Sequence, residues 1–226
     1  MSAGKPVLTA MDPIWREPVG ILLAEAFHAK LGRMAGLDAA RLARAFALVG
    51  EGSGETRILA LMDGQLAGTL LLRRCPAYGS RVPIAGGGMV GMRLVRSIGL
   101  RPTLSITLAL SMLGHRPTAG EWYIGDVAVG AAYRGQGIGA LLIGEARRRA
   151  AAGRARLTLH VAAGNPGARR LYERLGFRVV GSTVSRSSRW LFGEGRWLYM
   201  SCLADGGGEA EWLDTRGGSS GQEEWA

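Results

Sequence analysis

Apolar residues recur at helical spacing through the first part of the chain. GILLAEAFHAKLGRM (Gly20 to Met34) and DAARLARAFALV (Asp38 to Val49) repeat Leu, Ala and Phe three and four residues apart, which gathers them on one face of a helix. Asp38 stands where an N-cap is expected. The pattern then changes. TRILALMDGQLAGTLLLR (Thr56 to Arg73) has two apolar runs flanking Asp63-Gly64, a pair suited to the turn of a β-hairpin. From Val82 to Leu113 a glycine-rich stretch gives way to an apolar one; it reads as one or two helices packing on a sheet. EWYIGDVAV (Glu121 to Val129) is β-branched and aromatic, as a strand should be.

A glycine cluster follows that strand, and a helical pattern runs from Ile138 to Ala152, stopping near Gly153. RLTLHVA (Arg156 to Ala162) alternates as a strand. NPGARRLYERLG reads as a capped helix, with Asn165 as cap, Pro166 in the first turn and Gly176 as terminator. FRVVGSTV (Phe177 to Val184) and RWLYMSCL (Arg196 to Leu203) read as the last strands, joined by the loop SSRWLFGEG. The order is helix, helix, hairpin, insert, then alternating strands and helices ending in two strands. It predicts an α/β (α+β) fold with a mixed sheet covered by helices.

Composition adds bounds. With 226 residues, 47% of them hydrophobic and 20% charged, one globular domain is expected. The longest uncharged run of the apolar insert, Pro102 to Gly114, has 13 residues, against the roughly 20 a spanning helix needs. No membrane association is expected. The N-terminus lacks the apolar segment of a signal peptide, which suggests a cytoplasmic protein. Cys75 and Cys202 have no metal or disulfide spacing, and the three histidines are scattered; two reduced thiols and no metal are expected.

Charge is uneven. Six of the 18 acids but one of the 28 bases lie after Ala204, so the body carries 27 bases against 12 acids, a formal +15. A basic body favours anionic partners. No aromatic-rich RNA-recognition motif accompanies it, so nucleic acid is not expected. Residues 205–226 are acidic and rich in Gly and Ser, a composition that predicts disorder.

Glycine-rich turns that open a helix hold phosphate, and three kinds compete here. A nucleotide-triphosphatase loop needs Gly-Lys-Ser/Thr, whereas Gly139 is followed by Ala140-Leu141. A dinucleotide loop needs a different third glycine interval and an acid after the next strand, which ends in His160-Val161-Ala162. What remains is Arg134-Gly135-Gln136-Gly137-Ile138-Gly139, between a strand and a helix. This resembles the acetyl-coenzyme A loop of the GNAT (Gcn5-related) N-acetyltransferases. The segment NPGARRLYERLGF, beginning 26 residues after Gly139, resembles the second signature of that family in the expected order. The resemblance runs from about Thr56 to Leu203.

The resemblance implies a largely antiparallel sheet that splays open after the strand preceding the loop. It implies one GNAT-like domain over 1–204, with a core at 56–203 and an insert at about 79–120. It implies acetyl-CoA as cosubstrate, bound through the backbone of Val127, Ala128 and Val129. Pyrophosphate would be held by Arg134, Gly135, Gln136, Gly137, Ile138 and Gly139, with Asn165, Ala168 and Tyr172 also at the cofactor. Tyr172 would be the general acid. Asp126, Glu121 and His115 stay open as bases for an amine acceptor, which could be a polyamine, a drug, an amino acid or a protein. A monomer or homodimer is expected. The alternative is an acyl-CoA-binding sensor with little turnover.

Overall fold

The first element is one that the sequence pattern does not announce. In the computed structural model, which describes residues 4–32, 35–49, 51, 54–74, 87–112, 115, 117–184, 189 and 194–203, strand β1 (Val7–Ala10) pairs antiparallel with β2 (Glu55–Met62). Four residues are too few to register as a periodic signal. Helix α1 (Arg16–Phe27) starts before the expected Gly20, because Asp12 caps the 3-10 turn Pro13–Trp15 that leads into it, accepting from Ile14 N at 3.0 Å. It also ends early. A π turn, His28–Gly32, takes over, and the His28 ring bonds the Leu37 carbonyl at 3.2 Å. Helix α2 (Ala39–Leu48) follows with Asp38 as its cap, accepting from Arg41 N at 2.7 Å.

β2 and β3 (Gln65–Arg74) form the expected hairpin, and both Asp63 and Gly64 have positive φ, as a type I′ turn requires. The insert forms α3 (Gly87–Ile98) and α4 (Leu100–Met112). These helices do not pack on the sheet as expected. Leu94, Ile98 and Ile106 join Ala24, Leu31, Leu42 and Ala45 in one cluster, so the insert extends the helical layer. The reason is occupancy: Val19, Leu22 and Leu23 of α1 already cover that sheet face at Leu59 and Ala128 of β4 (Glu121–Val129).

The remaining elements are α5 (Ile138–Ala152), β5 (Arg156–Ala162), α6 (Pro166–Arg174), β6 (Arg178–Val184) and β7 (Arg196–Leu203). The seven strands run in the order β1-β2-β3-β4-β5-β7-β6, antiparallel except for β4 and β5. The main core lies on the face opposite α1. There Ile138, Leu142, Ile143, Ala146 and Ala150 of α5 meet Ile58, Leu70, Leu72, Leu157, Leu159 and Met200. Gly68 permits the close approach of α5, since a Cβ there would stand 2.8 Å from Ile138 Cγ2. This contact fixes the N-terminus of α5 against the sheet. Cys202 is buried in this core. Cys75, most of SSRWLFGEG and the acidic tail lie outside the described residues.

Candidate active site

The sheet parts between β4 and β5. Their parallel register covers Glu121↔Arg156 to Ile124↔Leu159 and goes no further. On the other side β4 stays paired to β3 up to Val129, with a bulge at Gly125: Leu71 opposes Asp126 and Leu72 opposes Ile124. The extra residue bends β4 at the point where β5 departs. Backbone groups on an antiparallel strand alternate sides. Gly130 N bonds Ala67 O at 3.0 Å, which assigns Ala128 to the β3 ladder. Val127 and Val129 therefore turn N–H and C=O toward the opening.

The glycine loop closes the end of this opening. Gly135 and Gly137 have φ of 76° and 80°, a region costly to other residues. A Cβ at either would meet nothing within 4 Å, so the glycines serve backbone conformation and access, not packing. Gly137 caps α5 without a side chain, and the first helical bond is Leu141 N to Gly137 O. The amides of Ile138, Gly139 and Ala140 precede it, at the positive end of the helix dipole. Arg134 donates from Nε to the Val129 carbonyl at 3.2 Å, and Gln136 braces the loop by donating to the Ala132 carbonyl at 2.9 Å.

Helix α6 flanks the loop. A Cβ on Gly139 would touch Leu171 Cδ2 at 3.4 Å and Val129 Cγ2 at 3.9 Å, so loop, α6 and the open part of β4 converge. Asn165 caps α6, accepting from Ala168 N at 3.1 Å. Tyr172 packs edge-on against Phe177, with ring centroids 5.8 Å apart. Burial pushes its hydroxyl pKa up to about 12, and the hydroxyl has no hydrogen-bond partner among the described residues.

The carboxylates lie on the other face of the sheet, with α1. Asp126 accepts two bonds from the buried Arg57, at 2.8 and 3.1 Å. Arg57 also reaches Glu51 at 3.2 Å and Thr69 Oγ1 at 3.3 Å. Glu121 is surrounded by donors. Its Oε1 accepts from Thr158 Oγ1 at 2.5 Å and Tyr199 OH at 2.7 Å, and His115 Nε2 stands 2.8 Å away. Its Oε2 accepts from Thr118 N and Oγ1, both at 3.0 Å. Burial alone would raise the Glu121 pKa; the bonds from His115, Thr118, Thr158 and Tyr199 outweigh it and hold the group well below the ordinary range.

Sequence reasoning missed what adjoins this carboxylate. His160 on β5 stacks near Tyr199 (4.8 Å between centroids) and His115 (5.3 Å), and its Nδ1 lies 3.2 Å from Tyr123 OH. The signal was present in RLTLHVA. Leu157, Leu159 and Val161 face the core, so alternation sends Thr158 and His160 to the opposite face. Tyr123 and Glu121 share that face on β4. The glycine loop, Leu171 of α6 and Val129 of β4 thus meet at one end of the opening, while Ala128, expected at the cofactor, turns its backbone to β3 instead. The structure holds Asp126 and Glu121 in separate polar clusters on the other face.

The sequence model of the Acetyltransferase (GNAT) family matches residues 38–177, more than half of the chain. Solved structures share the fold. A protein described as histone acetyltransferase HPA2 and related acetyltransferase, from Corynebacterium glutamicum, aligns with TM-score 0.59 at 22% identity, covering 87% of this chain and 94% of that one. A spermidine N-acetyltransferase chimera from Vibrio cholerae and hSSAT aligns with TM-score 0.57 at 15% identity over 93% and 99% of the two chains. An N-acetyltransferase from Staphylococcus aureus gives 0.56 at 16% identity over 86% and 99%. No curated protein matches the sequence.

Proposed function

We propose that this chain, which belongs to the GNAT acetyltransferase family, moves the acetyl group of acetyl-CoA directly onto a primary amine within a ternary complex. The observation that carries this reading is the opening between β4 and β5, ended by a glycine-rich turn whose first helix amides precede the first helical bond. Acetyl-CoA has a linear amide-bearing arm and a pyrophosphate. The arm pairs with the backbone of Val127 and Val129 as an added strand would. The pyrophosphate sits on the amides of the loop from Arg134 to Gly139, where the helix dipole and the Arg134 side chain favour negative charge. Asn165 and Ala168 flank the cofactor from α6.

The amine attacks the thioester carbonyl. A backbone N–H of the open β4 edge aimed at that oxygen stabilises the oxyanion. Tyr172, its hydroxyl kept protonated by burial, gives a proton to the departing sulfur. Asp126 and Glu121 build the acceptor side. The first is tied to Arg57 by two bonds, and the second accepts from Thr118, Thr158 and Tyr199 with His115 beside it, so both serve there as anchored acceptors for neighbouring donors.

Isothermal titration with acetyl-CoA tests the reading. The wild type is expected to bind in the micromolar range, and Gly137→Glu to lose binding while keeping its fold, because the new side chain enters the anion site. Free-thiol release with a panel of primary amines then reads turnover. A folded wild type that produces no heat with acetyl-CoA overturns the assignment.

A further inference from the structure

Resting on the acetyl-transfer reading above, we propose that His160, braced by Tyr123, takes the proton that the acceptor ammonium must lose before it attacks. A primary amine with a pKa of about 10.4 is almost wholly protonated near neutrality and has no lone pair to attack with. The group that relieves it must stand beside the opening, on the acceptor face, with a lone pair of its own.

His160 meets these conditions by position. Leu159 is the last β5 residue paired to β4, opposite Ile124. His160 is therefore the first residue past the parting of the strands, and its side chain is half-buried. Its neighbours are otherwise engaged. His115 Nε2 and Tyr199 OH are both directed at Glu121. Asp126 is held by Arg57. Only Nδ1 of His160 has a partner among the described residues, the Tyr123 hydroxyl. With the ring proton on Nδ1 and donated to the Tyr123 oxygen, Nε2 carries the lone pair. Burial first, and then His115, push the His160 pKa down to about 4, against an opposing pull from Glu121; the ring is neutral near pH 7. Burial also raises the Tyr123 pKa well above its ordinary value, so Tyr123 stays a hydroxyl throughout.

The charged and titratable groups around the ring are His115 ahead of β4, Glu121 and Tyr123 on β4, and Tyr199 on β7. Farther out, Arg73 on β3 acts on Tyr123 and is paired to Glu55 at 2.7 Å. The step balances. One ammonium proton passes to Nε2, and the imidazolium keeps its Nδ1–H on Tyr123. The freed nitrogen lone pair forms the C–N bond. The C–S bond breaks, its electrons leave on sulfur, and Tyr172 protonates that sulfur. The new amide nitrogen sheds its second proton, which restores the Tyr172 hydroxyl, and the imidazolium releases its proton to solvent.

Two measurements on the full chain test this. In nitrogen-15 histidine NMR, His160 should be neutral with its proton on Nδ1 near pH 7, and Tyr123→Phe should change that tautomer balance. A ring protonated on Nε2, or charged near neutrality, overturns the proposal. The second measurement is thiol release from acetyl-CoA with spermidine, lysine, tryptamine and an alanine-initiated tetrapeptide as probe amines. With any amine that reacts, His160→Gln should lower kcat about 10²-fold or more near pH 7, with KM for acetyl-CoA unchanged. The loss should shrink as pH rises toward the amine pKa, where a neutral amine needs no base. A kcat within threefold of wild type, or a loss independent of pH, overturns the proposal alone. Failure of the wild type to bind acetyl-CoA or to acetylate any probe overturns the transfer reading, and this proposal with it.

Discussion

Replacing Glu121 with glutamine distinguishes a carboxylate that organises the acceptor face from one that takes a proton in catalysis. The Glu121 side chain is 1% exposed and receives hydrogen bonds from Thr118, Thr158 and Tyr199, with His115 2.8 Å away. Glutamine keeps its shape but replaces one oxygen with an NH₂ group. In the less costly orientation the NH₂ replaces Oε2 and meets Thr118 N, a donor it cannot satisfy. Two bonds to a charged acceptor are lost at about 1.5–3 kcal/mol each, with partial relief from rotation of the Thr118 hydroxyl. The expected cost is about 3–4 kcal/mol, or a fall in Tm of roughly 6–15 °C for a chain of this size. The pH dependence follows from the depressed pKa. The carboxylate contributes its full stabilisation above its unfolded pKa of 4.5 and loses it as pH falls from there toward the folded pKa. Glutamine has no such term. The gap between wild type and variant should therefore be constant from about pH 8 to pH 5. Below that it should narrow by up to about 1.4 kcal/mol per pH unit. Urea unfolding followed by tryptophan fluorescence, at several pH values from neutral to acid, measures it. A Glu121→Gln variant within about 1 kcal/mol of wild type near neutrality, or a gap that stays constant into acid, refutes the reasoning. A large fall in kcat with Tm unchanged would instead make Glu121 the base.

Arg57→Met should cost about 3–5 kcal/mol, because it leaves Asp126 and Glu51 facing each other without their shared cation; thermal melting checks it, and Arg57→Lys should recover only part, since lysine cannot make the two parallel bonds to Asp126. Gly68→Ala should cost about 1–3 kcal/mol by overpacking against Ile138, Leu142 and the Ala128 carbonyl. It should also weaken acetyl-CoA binding by displacing the start of α5, which titration would read. Asn165→Ala should cost about 1 kcal/mol through loss of the cap on Ala168 N, seen as a fall in Tm of a few degrees.

Much of this molecule is legible in its sequence because the relevant physics is local. Asp38 and Asn165 cap the helices they precede, Asp63-Gly64 turns the hairpin, and Gly176 ends α6 with a positive φ. Each depends on a few consecutive residues and the backbone conformations they allow. The loop from Arg134 to Gly139 is of the same kind: glycines on either side of a helix start determine unpaired amides whatever else the chain does. Other features depend on residues distant in sequence. The packing of the insert on α1 and α2 follows from which sheet face was already covered, a competition that periodicity within one segment does not register. The parting of β4 from β5 depends on a bulge at Gly125 set by register with β3, and register belongs to pairs of strands. Asp126 is an available carboxylate when read alone; Arg57, on a strand 69 residues away, ties it up. The environment of His160 is the clearest case. Alternation in RLTLHVA gives the face of its side chain. The burial that lowers its pKa and its contact with Tyr123 come from three strands meeting, which only tertiary structure decides.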